Sequence, residues 1–226
     1  MRRNYWVVVA NIAVLALVAG CRDNVVAPTA VQASAPAAAM LAPTSRPSLS
    51  LSGTSFTDGS ADFTISPSGG VYYVGNHAVV FPAHSVCDPD KSTYGPGTWD
   101  DSCPVLNQPL TIHAVVRNEA GRTWVEFTPD IRFVPSQNPA KWVWLYMYTP
   151  EAIGATGDLS RFNILYATSF DGPTIDESLT DPTVRTYVDT THGITFRRIR
   201  HFTNYVVGAE RCDPTTDPSC TDPAPQ

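Results

Sequence analysis

The chain has 226 residues, 15 Lys and Arg against 21 Asp and Glu for a net charge of −6, and 43% hydrophobic residues. A mildly acidic chain lacks the basic surface that nucleic acid demands, so no nucleic-acid partner is expected. The length is ample for one folded core, and five cysteines make the redox setting informative.

The first elements read as an export leader. Arg2 and Arg3 make a positive start, Tyr5 to Val18 form an apolar run broken only by Asn11, and Ala19-Gly20 are the small residues of a cleavage site. That run is 14 residues long, short of the roughly 20 that span a bilayer core. With Arg2 and Arg3 removed, 13 basic residues face 21 acidic ones, a mature net charge of −8. Leu17-Val18-Ala19-Gly20-Cys21 resembles the lipobox of bacterial lipoproteins. The resemblance implies that residues 1–20 are removed, that Cys21 is lipidated and that the membrane is a partner through this anchor. It also implies a bacterial envelope address. Arg22 follows the cysteine where inner-membrane retention is associated with aspartate, so an outer-membrane or cell-surface location is expected. An ordinary secretory leader with an incidental Cys21 is the alternative.

Residues 21–52 consist mainly of Ala, Pro, Ser, Thr and Val, without an aromatic side chain. Such a segment has too little apolar surface to order itself. It reads as a tether with a root-mean-square reach of roughly 30 Å.

From residue 53 to 209 short apolar or alternating runs are separated by Gly, Pro, Asp and Asn. Strands are expected at Asp62 to Ile65, Val71 to Val74, Ala78 to Phe81, Leu110 to Arg117, Thr123 to Thr128, Trp142 to Tyr148, Phe162 to Ala167, Val184 to Val188, Gly193 to Arg200 and Phe202 to Gly208. Only Pro150 to Leu159 and Ile175 to Leu179 suit a short helical turn. Ten short strands with frequent turn signals predict an all-β fold, an antiparallel β-sandwich or barrel. Residues 210–226 are Asp-, Pro- and Thr-rich and form a polar tail. Export makes disulfides durable, and Cys87, Cys103, Cys212 and Cys220 are an even set. Pairing Cys87 with Cys103 and Cys212 with Cys220 is expected, because each pair brackets a Pro/Gly/Asp-rich loop. Four free thiols are the alternative.

Four segments, Ile65-Ser66-Pro67-Ser68-Gly69-Gly70, Val79-Val80-Phe81-Pro82-Ala83, Val125-Glu126-Phe127-Thr128-Pro129 and His201-Phe202-Thr203-Asn204-Tyr205-Val206-Val207, taken in order, resemble the ZU-type domain of zona occludens proteins, ankyrins and netrin receptors. The chain departs from that pattern at Ala83-His84 and in the long Cys87 to Cys103 loop. The resemblance implies a contact-making β-sandwich with no catalytic residues to carry over.

The strand Trp142 to Tyr148 stands out. Because strand side chains alternate, Trp142, Trp144, Tyr146 and Tyr148 share one face and Val143, Leu145 and Met147 the other, which is the natural core side. Trp124, from the strand before it, extends the row if the faces coincide. The aromatic row is either covered by other parts of the chain or open as a docking face for carbohydrate or protein. In the loop, Asp88, Asp90 and Ser92 open like an EF-hand, but Thr93 and Trp99 stand where glycine and glutamate are required. His77, His84, His113, His192 and His201 have no metal-ligand spacing. Neither a nucleophile elbow nor a phosphate or dinucleotide loop occurs. No metal, cofactor or catalytic residue is assigned. The expected function is a non-catalytic, lipid-anchored envelope protein displaying an interaction or structural module. Ligand binding through the aromatic row is the alternative, and an exported hydrolase with a dispersed site a third reading.

Overall fold

A computed structural model describes residues 58–119, 121–170 and 172–208. Alternation builds the strands. In β4 (Leu110–Glu119) Ile112, Ala114 and Val116 are buried while Thr111 and His113 are exposed, the pattern of a strand with one face on a core. The strand preceding it in its sheet, β1 (Gly59–Ile65), alternates in the same way.

The chain folds as two antiparallel sheets, a β-sandwich. The first has six strands in the order β1, β4, β5 (Arg122–Thr128), β11 (Asn204–Val207), β7 (Ile164–Ala167) and β8 (Thr174–Ile175). The second has five, in the order β2 (Gly70–Val74), β3 (His77–Phe81), β6 (Val143–Tyr148), β10 (Ile194–Ile199) and β9 (Thr186–Asp189). All ten expected strands are present, with ends shifted by a few residues. The two-residue β8 was not foreseen, being too short to show a period. One-turn 3-10 helices form at both expected places, Pro150–Ala152 and Glu177–Leu179, and also at Pro139–Lys141, Ser160–Phe162 and Pro182–Val184.

Between the sheets lies one apolar core. Val79, Phe81, Val143, Leu145, Met147 and Ile199 meet Ile65, Ile112, Val116, Val125, Phe127 and Tyr205 there. Phe202 is its centre: its ring stacks on Phe127 at 4.2 Å and meets Phe81 and Phe133 edge-on at 5.7 and 5.2 Å. The β1–β2 turn is held at Gly69, where φ is +79° and a Cβ would lie 2.3 Å from the Phe81 carbonyl oxygen. Only glycine meets both demands.

Cys21, the 21–52 tether, Cys212, Cys220 and the 210–226 tail lie outside the described residues.

Candidate functional site

The expected Cys87–Cys103 disulfide is present, with a Cα–Cα distance of 5.6 Å. Its two ends are paired into the sandwich: Cys87 N–H donates to Arg132 O at 3.1 Å, and Asp88 N–H to Pro104 O at 2.8 Å. Arg132, only 3% exposed, fills the loop from below. Its Nε donates to Thr93 O at 2.8 Å, Nη1 to Thr98 O at 3.0 Å and Asp101 O at 2.5 Å, and Nη2 to Ser102 O at 3.3 Å. A guanidinium presents five donors in a fixed fork, so one side chain orders a loop that has no strand or helix of its own. Tyr94 adds a tie by donating its hydroxyl to Phe202 O.

The loop is seated on a buried ion cluster. Trp99 stacks on the His201 ring at 4.1 Å, and Tyr166 meets that ring edge-on at 4.9 Å. Below it, Glu177 Oε1 lies 3.3 Å from His201 Nε2 and accepts from Arg200 Nη2 at 3.3 Å, while Oε2 accepts from Arg197 Nη2 at 2.6 Å. Arg197 is fully buried, and its Nη1 also donates to Ile164 O at 2.8 Å. Two Asx turns position the acid: Asp176 accepts from Ser178 N–H and Asp181 from Thr183 N–H, capping the short helix that Glu177 begins and the one that follows it. Burial opposes ionisation of Glu177, but Arg197, His201 and Arg200 together outweigh it and hold the carboxyl well below the usual carboxylate range. One carboxylate is thus shared by Arg197, Arg200 and His201, which couples β10, β7 and the disulfide loop.

A second buried titratable group sits apart. Tyr148 N–H donates to His77 Nδ1 at 3.1 Å, and burial pushes the imidazole down from 6.5 to about 4. The unfolded chain therefore binds a proton between those two values that the native chain does not. Stability supported by neutral His77 is complete above pH 6.5 and is lost as pH falls towards 4, by about 3 kcal/mol. Glu177, whose native value is depressed, adds a further loss below its ordinary 4.5. Denaturant titrations at pH 7, 5.5 and 4 are expected to show a steady fall in unfolding free energy. A flat profile would contradict the burial of both groups.

The aromatic row is covered. Trp142, Trp144 and Tyr146 are 8%, 1% and 1% exposed and Tyr148 is partly buried. They form a second apolar cluster with Ala78, Val80, Ile194 and Phe196. The reason is position: β6 is the middle strand of its sheet, and its register sets Phe196 and Arg198 beside Tyr146 and Trp144. Phe196 stacks on Tyr146 and on Tyr187, each at 5.3 Å. Nor does Trp124 extend the row. It lies on β5 in the other sheet and packs with Leu165, Ala167 and Val206. The reading of Trp124, Trp142, Trp144, Tyr146 and Tyr148 as one open docking face is therefore replaced by two covered clusters.

Of the Asp-rich loop, Asp88 accepts from Lys91 Nζ at 2.6 Å and from Asp90 N–H at 3.1 Å, a local turn. Arg132, Glu177 and Arg197 went unnoticed in the sequence, and Trp99 entered only as a mismatch to a calcium loop. The signal was there in Phe196-Arg197-Arg198-Ile199, where consecutive cations in a strand put one of them on the core face.

The fold and site together define an antiparallel β-sandwich with a disulfide loop latched over a buried carboxylate–guanidinium–imidazole cluster. Comparison with protein-family models, curated proteins and solved structures finds no match. The ZU-type likeness rests on the four sequence segments.

Proposed function

We propose that the chain is a lipid-anchored protein of the bacterial envelope whose β-sandwich serves as a non-catalytic interaction or structural module. The observation that carries this reading is the order of parts: the lipobox-like Leu17 to Cys21, the unpatterned 21–52 segment, and an all-β domain. Anchoring through several acyl chains on Cys21 is strong, because each buried methylene contributes about 0.8 kcal/mol. A tether then lifts the domain clear of lipid headgroups. The ion cluster fits a structural role, since Glu177 and Arg197 spend their side-chain hydrogen bonds on each other, on His201 and Arg200, and on the backbone. A ZU-type relationship would add that the sandwich makes protein contacts.

Replacing Cys21 with serine is expected to abolish metabolic labelling by palmitate and to release the protein from the membrane fraction. Labelling that persists in Cys21→Ser would overturn the anchor.

A further inference from the structure

The aromatic face of the second sheet is buried more deeply than the described elements around it account for. Its core side meets the first sheet, and the eleven described strands all lie in the two sheets, so no described strand covers the outer side. The short helices Pro150–Ala152 and Pro182–Val184 meet β10 only near its ends. Yet on the line across the middle of the sheet Ala78, Tyr146 and Phe196 are 0%, 1% and 2% exposed. Side chains stand roughly perpendicular to a sheet, so neighbours shield the sides of these rings and leave the outer edges to water unless a further layer lies above. Tyr146 and Phe196 are engaged beyond their mutual stack. Asn76, in the turn from β2 to β3, is also engaged and buried, although turn residues usually face water. Val71 and Tyr73, outward on β2, are exposed, so the covering layer passes β2 at its Asn76 end.

We infer that residues 47–57 of the same chain are this layer, a strap laid across β3, β6 and β10. Continuity favours it. Asp58 is fixed by accepting from Asn118 N–H at 2.6 Å and leads into β1, the edge of the first sheet. Phe63 of β1 stacks at 5.1 Å on Tyr72 of β2, the edge of the second. The chain thus joins the fold on the flank where the two edges meet. Reach is sufficient. Strands spaced about 4.8 Å and sheets about 10 Å apart make the path round β2 to β9 roughly 30 Å, and 11 extended residues span roughly 36 Å.

Composition decides between the two ends of the chain. Residues 47–57 carry Leu49, Leu51 and Phe56, large apolar side chains that fit an aromatic floor. Residues 209–226 contain no Leu, Ile, Val, Met or aromatic residue, and they follow β11, an inner strand of the opposite sheet. A segment too poor in apolar surface to fold alone gains order on a prebuilt face. The strap closes the aromatic row to outside partners and leaves residues 21–46 as free tether. It does not depend on whether Cys21 carries lipid, so failure of either reading leaves the other standing.

The test uses the full chain in detergent. A p-benzoylphenylalanine placed at position 51 is photoactivated and its crosslinks are mapped by mass spectrometry. Crosslinks within one chain to peptides holding Ala78, Tyr146 or Phe196 are expected. Crosslinks only to the first sheet, or none, overturn the inference, and capture of the same face on a second copy overturns its intramolecular form. Leu49→Ser combined with Leu51→Ser and Phe56→Ser is expected to move tryptophan emission to the red and to raise acrylamide quenching, with far-UV circular dichroism retained. Adding Trp144→Phe should cancel most of that change. Quenching equal to the parent's overturns the strap, and a rise on deleting residues 210–226 in its place would assign the cover to the tail.

Discussion

Glu177→Ala is expected to lower the unfolding free energy by about 4 kcal/mol, because it removes one partner of a buried ion cluster and strands the rest. Arg197 has no surface to retreat to: it is fully buried on the inward face of β10, and Glu177 is its only carboxylate within ion-pair distance among the described residues. Arg200 keeps Asp181 and Asp100 at longer range, and His201 loses the acceptor for Nε2. The corresponding fall in melting temperature is on the order of 10 °C. Glu177→Gln retains an acceptor and the side-chain volume, so its cost is expected to be smaller but still above about 1 kcal/mol. Chemical denaturation of both variants at pH 7 checks the result. A loss under about 1 kcal/mol for the alanine variant would mean that water reaches Arg197, contrary to the packing seen.

Arg132→Met is the second large effect, roughly 3–4 kcal/mol, with a local signature. Methionine preserves much of the apolar stem and removes every donor, so the carbonyls of Thr93, Thr98, Asp101 and Ser102 lose their shared partner. The loop has no strand of its own to fall back on, and its remaining ties include the disulfide, the Asp88 N–H bond to Pro104 O, the Tyr94 hydroxyl, the Asp100 ion pair with Arg200 and the Trp99 stack on His201. Two readouts distinguish loosening of the loop from general destabilisation. Cys87 is 1% exposed and Cys103 half-buried, so thiol attack in the native state is confined to the Cys103 side, and reduction by dithiothreitol is expected to speed up in the variant well below the unfolding transition. Trp99 should shift its emission to the red in the same variant while the buried Trp144 does not. Unchanged reduction kinetics would show that the loop is held without Arg132.

Local pattern determined the class of fold. Period-two alternation in Ile112 to Val116 and the Gly69-Gly70 turn act over a few residues, and a one-residue slip would turn each strand inside out, so strands and their core faces are legible from the chain alone. The same reasoning correctly placed Val143, Leu145 and Met147 in the core, and the Cys87–Cys103 pair in one loop. What alternation cannot say is which strands become neighbours. Whether Trp144 and Tyr146 faced water or protein turned on β6 taking the middle of its sheet, with β3 and β10 on either side. Whether Trp124 joined them turned on β5 entering the other sheet. The ion cluster is the clearest case: Glu177, Arg197 and His201 lie far apart or on different elements, and their meeting depends on β10 crossing between β6 and β9 while the loop from Cys87 folds back over it. Charges 20 residues apart carry no mark of each other in the sequence. Only the closing of the two sheets, which excludes water and forces every buried charge to find a partner, made them a site.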